Sequence, residues 1–188
     1  MRKEKGFTLI ELIVVIAVIG ILAAITMPNA FKAIQKAKIQ KAMKDMKTIA
    51  AAAMQHYVDT GRWPPPINNP PYGAGFLTND DGTGNPLPGW HGPYLELWPF
   101  HPWSKESQDA TTYQWDHKDV ASETAGLEWV IEIGLADLTQ ERRNYISGII
   151  DKTWDGADGP CAGIFRAYCP PGPSNWAGWP KYIVAPDS

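Results

Sequence analysis

The sequence predicts an α+β protein, with a long N-terminal helix packed on a small antiparallel sheet. Two patterns predict the helix. Residues 7–27 are apolar at all but three positions, and residues 28–60 repeat apolar side chains every three or four positions, as an amphipathic helix does. Short alternating segments in the proline- and glycine-rich remainder, residues 61–188, predict the sheet.

The apolar run at residues 7–27 predicts a membrane-spanning helix. Twenty-one residues rise about 30 Å in an α-helix, which matches the hydrocarbon thickness of a bilayer. Arg2, Lys3 and Lys5 precede this run. By the positive-inside rule they keep the N-terminus cytoplasmic and send the chain after the run across the membrane.

One charge interrupts the apolar run. Because an unpaired carboxylate costs about 2.5–3.5 kcal/mol inside a membrane helix, Glu11 requires a partner. Cleavage between Gly6 and Phe7 would create an α-amino group one helical turn before Glu11. That amine can belong to the same chain or to a neighbouring copy, and the second option makes Glu11 a docking group between identical subunits.

The segment GFTLIEL, residues 6–12, resembles the leader junction of type IV pilins and type II secretion pseudopilins. The resemblance implies that a prepilin peptidase removes residues 1–6 and methylates the new N-terminal Phe7, and that Glu11 guides each subunit onto a growing filament. Family members tend to carry a proline at the position of Pro28, where we expect the helix to kink or loosen. The alternative is an uncut signal anchor, but an ordinary secretory signal has its apolar core before the cleavage site.

A second resemblance lies in the predicted head. Residues 90–95, WHGPYL, are similar to the pseudopilin run W-x-G-P-Y-L, and residues 101–104 are similar to D-P-W-G, with His101 for aspartate and Ser104 for glycine. This favours the major pseudopilin of a type II protein secretion system. A type IV pilus pilin, serving adhesion, motility or DNA uptake, is the alternative.

The resemblance implies a pilin-like fold and a structural filament subunit, not an enzyme. Its expected partners are copies of itself, the prepilin peptidase, an inner-membrane assembly platform, minor pilins or pseudopilins, and membrane lipid before assembly. We expect a single-pass inner-membrane protein with a periplasmic head, later part of a periplasmic or cell-surface filament. The sequence also lacks a Ser/His/Asp set, a phosphate-binding loop and zinc-ligand spacing.

Charge is distributed unevenly along the chain. Residues 29–58 contain six lysines and one acid, Asp45, whereas the chain from Thr60 onward contains 16 acidic and 8 basic residues, a net charge of −8. A basic stalk with an acidic head suits identical subunits stacked head to stalk. The same acidic balance argues against nucleic acid as a partner of the head.

Two further sites are expected near the C-terminus. Cys161 and Cys169 belong to the exported part and are expected to form one disulfide, since the rival interpretation, a metal pair, lacks nearby histidines. Asp151, Asp155 and Asp158 are spaced among glycine turns as in a structural calcium loop. The EF-hand template fails there, and a solvated acidic turn is the alternative.

The remaining patterns predict secondary structure and core. We expect an extended loop over residues 64–93, strands at 111–115, 126–133, 162–168 and 182–184, and a helix over 136–152 with Leu138, Tyr145 and Ile149 on one face. Nine tryptophans are expected mainly to fill the core. Sugar stacking by a membrane-tethered glycan-binding domain is a remote alternative.

Overall fold

The computed structural model describes residues 6–66, 73–103, 113–119, 127–135, 138–154, 156, 164–166 and 181–186. The chain divides into two compact units, Met1–Lys38 and Ile39–Ser188. Its helices are α1 (Leu9–Thr60) and α2 (Gln140–Trp154), and its strands are β1 (Tyr113–Asp119), β2 (Leu127–Ile133), β3 (Phe165–Arg166) and β4 (Lys181–Pro186). The predicted α+β class is confirmed.

Helix α1 has 52 residues and continues through Pro28. It begins two residues later than the apolar run and ends at Thr60, the predicted end of the amphipathic part. Within the first unit its large apolar side chains are exposed, from 49% for Val15 to 76% for Leu9. A kink at Pro28 stays a prediction.

In the second unit, α1 buries one face. The apolar repeat predicts a stripe of Phe31, Ile34, Ile39, Ala42, Met43, Met46, Ile49, Ala53, Met54 and Tyr57. It is confirmed at Ile39, Ala42, Met46, Ile49 and Ala53, which are buried, whereas Phe31 and Ile34 in the first unit are exposed. The prediction was wrong at Met54 and Tyr57, which are about half exposed, because the buried face continues instead through His56. This stripe is the part of α1 that the head covers.

Among the described residues, the head contains a four-stranded sheet in the order β1-β2-β4-β3, whose pairings are antiparallel. Strand β1 pairs with β2 over its full length, and the β2–β4 register shifts between Trp129 and Val130. The four predicted strands exist, although β1 lies two to four residues further along, and β3 is described at Phe165–Arg166, inside its predicted range.

Helix α2 begins four residues later than predicted, and the predicted face is confirmed at Ile149, which packs against the core, but not at Tyr145. Tyr145 is 56% exposed, whereas Ile146 and Ile150 are buried. Leu138 lies before the helix and packs against the core from there. The buried positions are four apart, so they occupy one side of the helix.

Aromatic rings form the centre of the head. Trp115 is fully buried, stacks on Trp129 with 5.2 Å between ring centroids, and meets Phe76 edge to face at 5.8 Å. Its Nε1–H donates to the carbonyl of Pro64 at 3.1 Å, and Trp98 Nε1–H donates to the carbonyl of Tyr113 at 3.0 Å. These bonds join the irregular loops after α1 to the first strand.

The tryptophans support core filling over sugar stacking. Of those in the described ranges, Trp98, Trp103 and Trp115 are buried and the others are partly buried. Trp63 packs against the core as predicted, 5.9 Å from Trp115 between ring centroids.

His101, which stands where the pseudopilin run D-P-W-G has aspartate, is buried. Its Nε2–H donates to the carbonyl of Gly134 at 2.7 Å, and its Nδ1 accepts from the backbone N–H of Trp103 at 3.2 Å. This pair of contacts requires the neutral ring, because the protonated ring has no acceptor. Burial lowers the pKa of His101 to about 4.

This geometry predicts acid sensitivity of the fold. The unfolded chain binds the His101 proton more tightly than the folded chain, so stability is full above about pH 6.5 and falls as pH drops towards about 4. We expect a loss of about 2 kcal/mol between pH 7.5 and pH 5 from this group, measured by denaturant unfolding of the full chain in detergent.

Substitution of His101 separates this contribution from the others. His101→Gln removes the titrating group and the acceptor for Trp103, and should lower stability at pH 7.5 by roughly 1–3 kcal/mol while flattening the pH dependence. His91→Gln, at an exposed histidine, is the matched control and should change neither. An unchanged pH slope in His101→Gln would contradict this account.

Candidate functional site: the N-terminal assembly segment

The N-terminus of α1 is capped by reciprocal hydrogen bonds between Thr8 and Glu11. The backbone N–H and the hydroxyl of Thr8 both donate to Glu11 Oε2 at 2.8 Å. The backbone N–H of Glu11 approaches Thr8 Oγ1 at 3.3 Å. This is a capping box, which pairs backbone donors that the first helical turn otherwise leaves without partners.

Thr8 is the residue that the sequence reasoning missed. We expected Glu11 to meet an α-amino group at Phe7, whereas in the uncut chain its carboxylate binds Thr8. The spacing Thr-x-x-Glu immediately before an apolar helix was the available signal. Since both partners are exposed, the carboxylate stays accessible to a further cation.

The predicted cleavage junction lies in an open stretch before α1. Phe7 is 78% exposed, and a Cβ added to Gly6 would have no neighbouring atom within 4 Å. Packing within the described chain therefore does not require glycine at position 6. A requirement for glycine there would come from a molecule that reads the junction.

Helix α1 is the one helix in the described ranges that is long and apolar enough to cross a membrane. The apolar window lies near the N-terminus, and none of it is buried in the head. Glu11 is the acidic residue in its first turn. The segment thus combines an unburied apolar helix, an accessible carboxylate and an open junction.

The other predicted site residues are not brought to this segment. Asp151 lies buried in the last turn of α2, whereas Asp155, Asp158, Cys161 and Cys169 lie outside the described residues. Within the described ranges, no group of three or more His, Cys, Asp or Glu side chains is placed to hold a metal. The calcium site and the disulfide stay predictions.

In a second acidic turn, the carboxylate of Asp81 accepts hydrogen bonds from residues of the same turn. Asp81 Oδ1 accepts from the backbone N–H and hydroxyl of Thr83 and from the backbone N–H of Asn85, at 2.6–3.1 Å. These hydrogen bonds hold the pKa of Asp81 well below its usual range. These hydrogen bonds organise the turn within the chain itself.

Comparison with protein families gives two matches. Residues 1–27 match the model of the prokaryotic N-terminal methylation motif, which covers the junction, Glu11 and the apolar run. Residues 33–119 match the PilW C-terminal model, which covers the amphipathic part of α1, the aromatic loops and β1. The segment carrying β2, α2, β3 and β4 lies beyond both matches.

Curated relatives extend the likeness into the head. The type II secretion system core protein G of Pseudomonas aeruginosa is 37% identical over 109 residues, 57% of this chain and 73% of the relative. Its counterpart from Aeromonas hydrophila is 32% identical over 123 residues, 64% of this chain and 82% of the relative. The fimbrial protein of Neisseria meningitidis is 37% identical over 79 residues, 42% of this chain and 45% of that protein.

No solved structure matches the chain. The relationship rests instead on the methylation motif and on alignments that span most of the core protein G relatives. With an N-terminal apolar helix continuing into an α+β head, the chain belongs to the type II secretion system core protein G family of pilin-like proteins.

Proposed function

We propose that this chain is the major pseudopilin of a type II protein secretion system. It is a structural subunit, and its copies assemble into a helical filament that acts on exported proteins. The observation that carries the proposal is coverage: the alignments include 73% and 82% of two core protein G relatives. The fimbrial relative is covered for less than half of its length.

The N-terminal segment supports a route into the filament. A prepilin peptidase cuts between Gly6 and Phe7, removes residues 1–6 and methylates Phe7. The exposed junction, at which glycine is not required by packing, supports this step. Residues 7–27 anchor the chain in the inner membrane, and residues 28–60 lead to the periplasmic head, residues 61–188. An assembly platform then extracts the subunit, and minor pseudopilins share the filament.

In this route Glu11 changes partner during assembly. Before cleavage its carboxylate is occupied by Thr8 at 2.8 Å, which reduces the cost of carrying a charge in lipid. After cleavage it accepts from the α-amino group of a neighbouring copy, a charge-assisted bond that is stronger than a neutral one. The head, with its acidic balance, contributes no nucleic-acid contact.

A type IV pilus pilin is the second candidate function. The observation that favours it is the fimbrial relative, which is 37% identical over its aligned part. Both candidates share the cleavage, the methylation and the filament. They differ in whether the filament supports secretion or reaches the cell surface for adhesion, motility or DNA uptake.

Deletion of the gene in its native host tests the choice. We expect loss of secreted enzymes from the medium, restored by the full chain, with unchanged surface pili and motility. Mass spectrometry of purified filament subunits should show the loss of residues 1–6 and a gain of about 14 Da on Phe7, the mass added by one methyl group.

Two results would contradict the proposal in different ways. Loss of pili with normal secretion would indicate that the chain is a type IV pilus pilin instead. An intact Met1 with an unmodified Phe7 in the membrane-extracted protein would remove the processing route altogether.

We also propose that Asp151, Asp155 and Asp158 bind a structural calcium ion at the end of α2. The support is the spacing of the three carboxylates among glycine turns. Millimolar calcium should then raise the melting temperature of the full chain in detergent, and chelation should lower it. Asp155→Asn should weaken the response, whereas an unmoved melting temperature would exclude the site.

A further inference from the structure

A groove runs along the solvent-facing side of α1 within the head unit. It has a volume of about 740 Å³ and lies between Tyr94 on the loop after α1 and Thr153 at the end of α2. Its wall includes Met43, Ala51 and Ala52, so much of the surface that it offers is apolar. Apolar surface of this kind gains free energy when another chain covers it.

The groove has a basic border. Lys44 and Lys47 both line it, and within the described residues the one ion pair of this helix joins Lys41 to Asp45 instead. The Nζ of Lys47 lies 5.3 Å from the ring centroid of Trp154, and that ring stacks on Tyr182 at 4.4 Å. Lys47 on this border therefore contacts the C-terminal segment that lies beyond both family matches.

A feature of complementary chemistry lies on the loop after α1, two and three residues beyond Tyr94 of the groove wall. Glu96 is exposed and Leu97 is 64% exposed, although the flanking Leu95 and Trp98 are buried. Trp98 is fixed further by its bond to the carbonyl of Tyr113. Two buried anchors thus hold an acidic and an apolar side chain outward, and we call residues 96–97 the knob.

We propose that the knob of one copy docks in the α1 groove of the next copy, with Leu97 on the apolar wall and Glu96 against Lys44. This contact rests on the proposed filament function and specifies how two heads meet. The knob does not fill the groove of its own chain, because Leu97 is exposed. The partner is a second copy, since the same chain carries both the apolar knob with its acid and the apolar groove with its bases.

The contact joins two different surfaces of identical chains. Such a heterologous contact leaves one knob and one groove free at the two ends, so it repeats without closing unless the rotation forms a ring. It is therefore suited to an open filament. Buried apolar area supplies attraction, and the Glu96–Lys44 pair selects the register.

Cysteine cross-linking tests the contact directly in filaments. Two full-length chains with different tags, one Leu97→Cys and the other Ala51→Cys, are expressed together with the peptidase and the assembly platform. Mild oxidation of sheared filaments should give a covalent dimer carrying both tags. The matched control is Tyr145→Cys with Ala51→Cys, because Tyr145 is a similarly exposed apolar residue of the head, and it should give only background.

Charge exchange supplies a second test that does not depend on new cysteines. Glu96→Lys and Lys44→Glu should each lower the filament yield by roughly fivefold, as expected for loss and reversal of one partly exposed ion pair. The double variant should recover at least half of the yield. Glu141→Lys, at an exposed acid of α2, is the control and should assemble normally.

The outcomes separate this contact from the proposed function. Normal filaments without a mixed dimer above the control, or a double variant no better than the single ones, would overturn the contact and leave the filament function intact. If the unaltered chain made no filament under the same expression, the proposed function would fail, and the contact with it. Thermal unfolding of each variant verifies that its head is folded.

Discussion

A single carboxylate in the first turn of an exposed apolar helix is the constraint on which the account depends. Glu11 is part of a segment whose large apolar side chains are exposed, so lipid or other helices must cover them. The capping box with Thr8 gives the charge a local partner. It does so without burying the carboxylate, which leaves Glu11 available for a stronger, cationic partner.

The head buries one face of the second half of α1 in its core. Its stripe is covered by ring-rich loops and by a sheet, and indole N–H groups bond to carbonyls on distant parts of the chain. Because these loops have little regular structure, their order depends on such anchors. The exposed knob between Leu95 and Trp98 is a direct consequence, since anchored neighbours keep it from folding back.

Local patterns predicted the features that depend on neighbouring residues. The apolar run, the stripe from Ile39 to Ala53 and the strand at residues 126–133 follow from periodicity alone. The buried face of α2 was predicted only in part, at Ile149, because the local pattern does not show that the core covers the side of Ile146 and Ile150 and leaves Tyr145 exposed. The groove was beyond sequence reasoning, since it joins α1 to Tyr94 and Thr153, which are far apart in the chain.

The most direct measurement replaces Glu11 with alanine and follows membrane insertion and filament formation in the same cells. The account predicts normal insertion and no filaments, because the apolar helix is retained and the intersubunit carboxylate is lost. Thr26→Ala is the matched control and should assemble normally, since the Thr26 hydroxyl donates to the carbonyls of Leu22 and Ala23 in its own helix. Filaments of normal yield from Glu11→Ala would contradict the central claim.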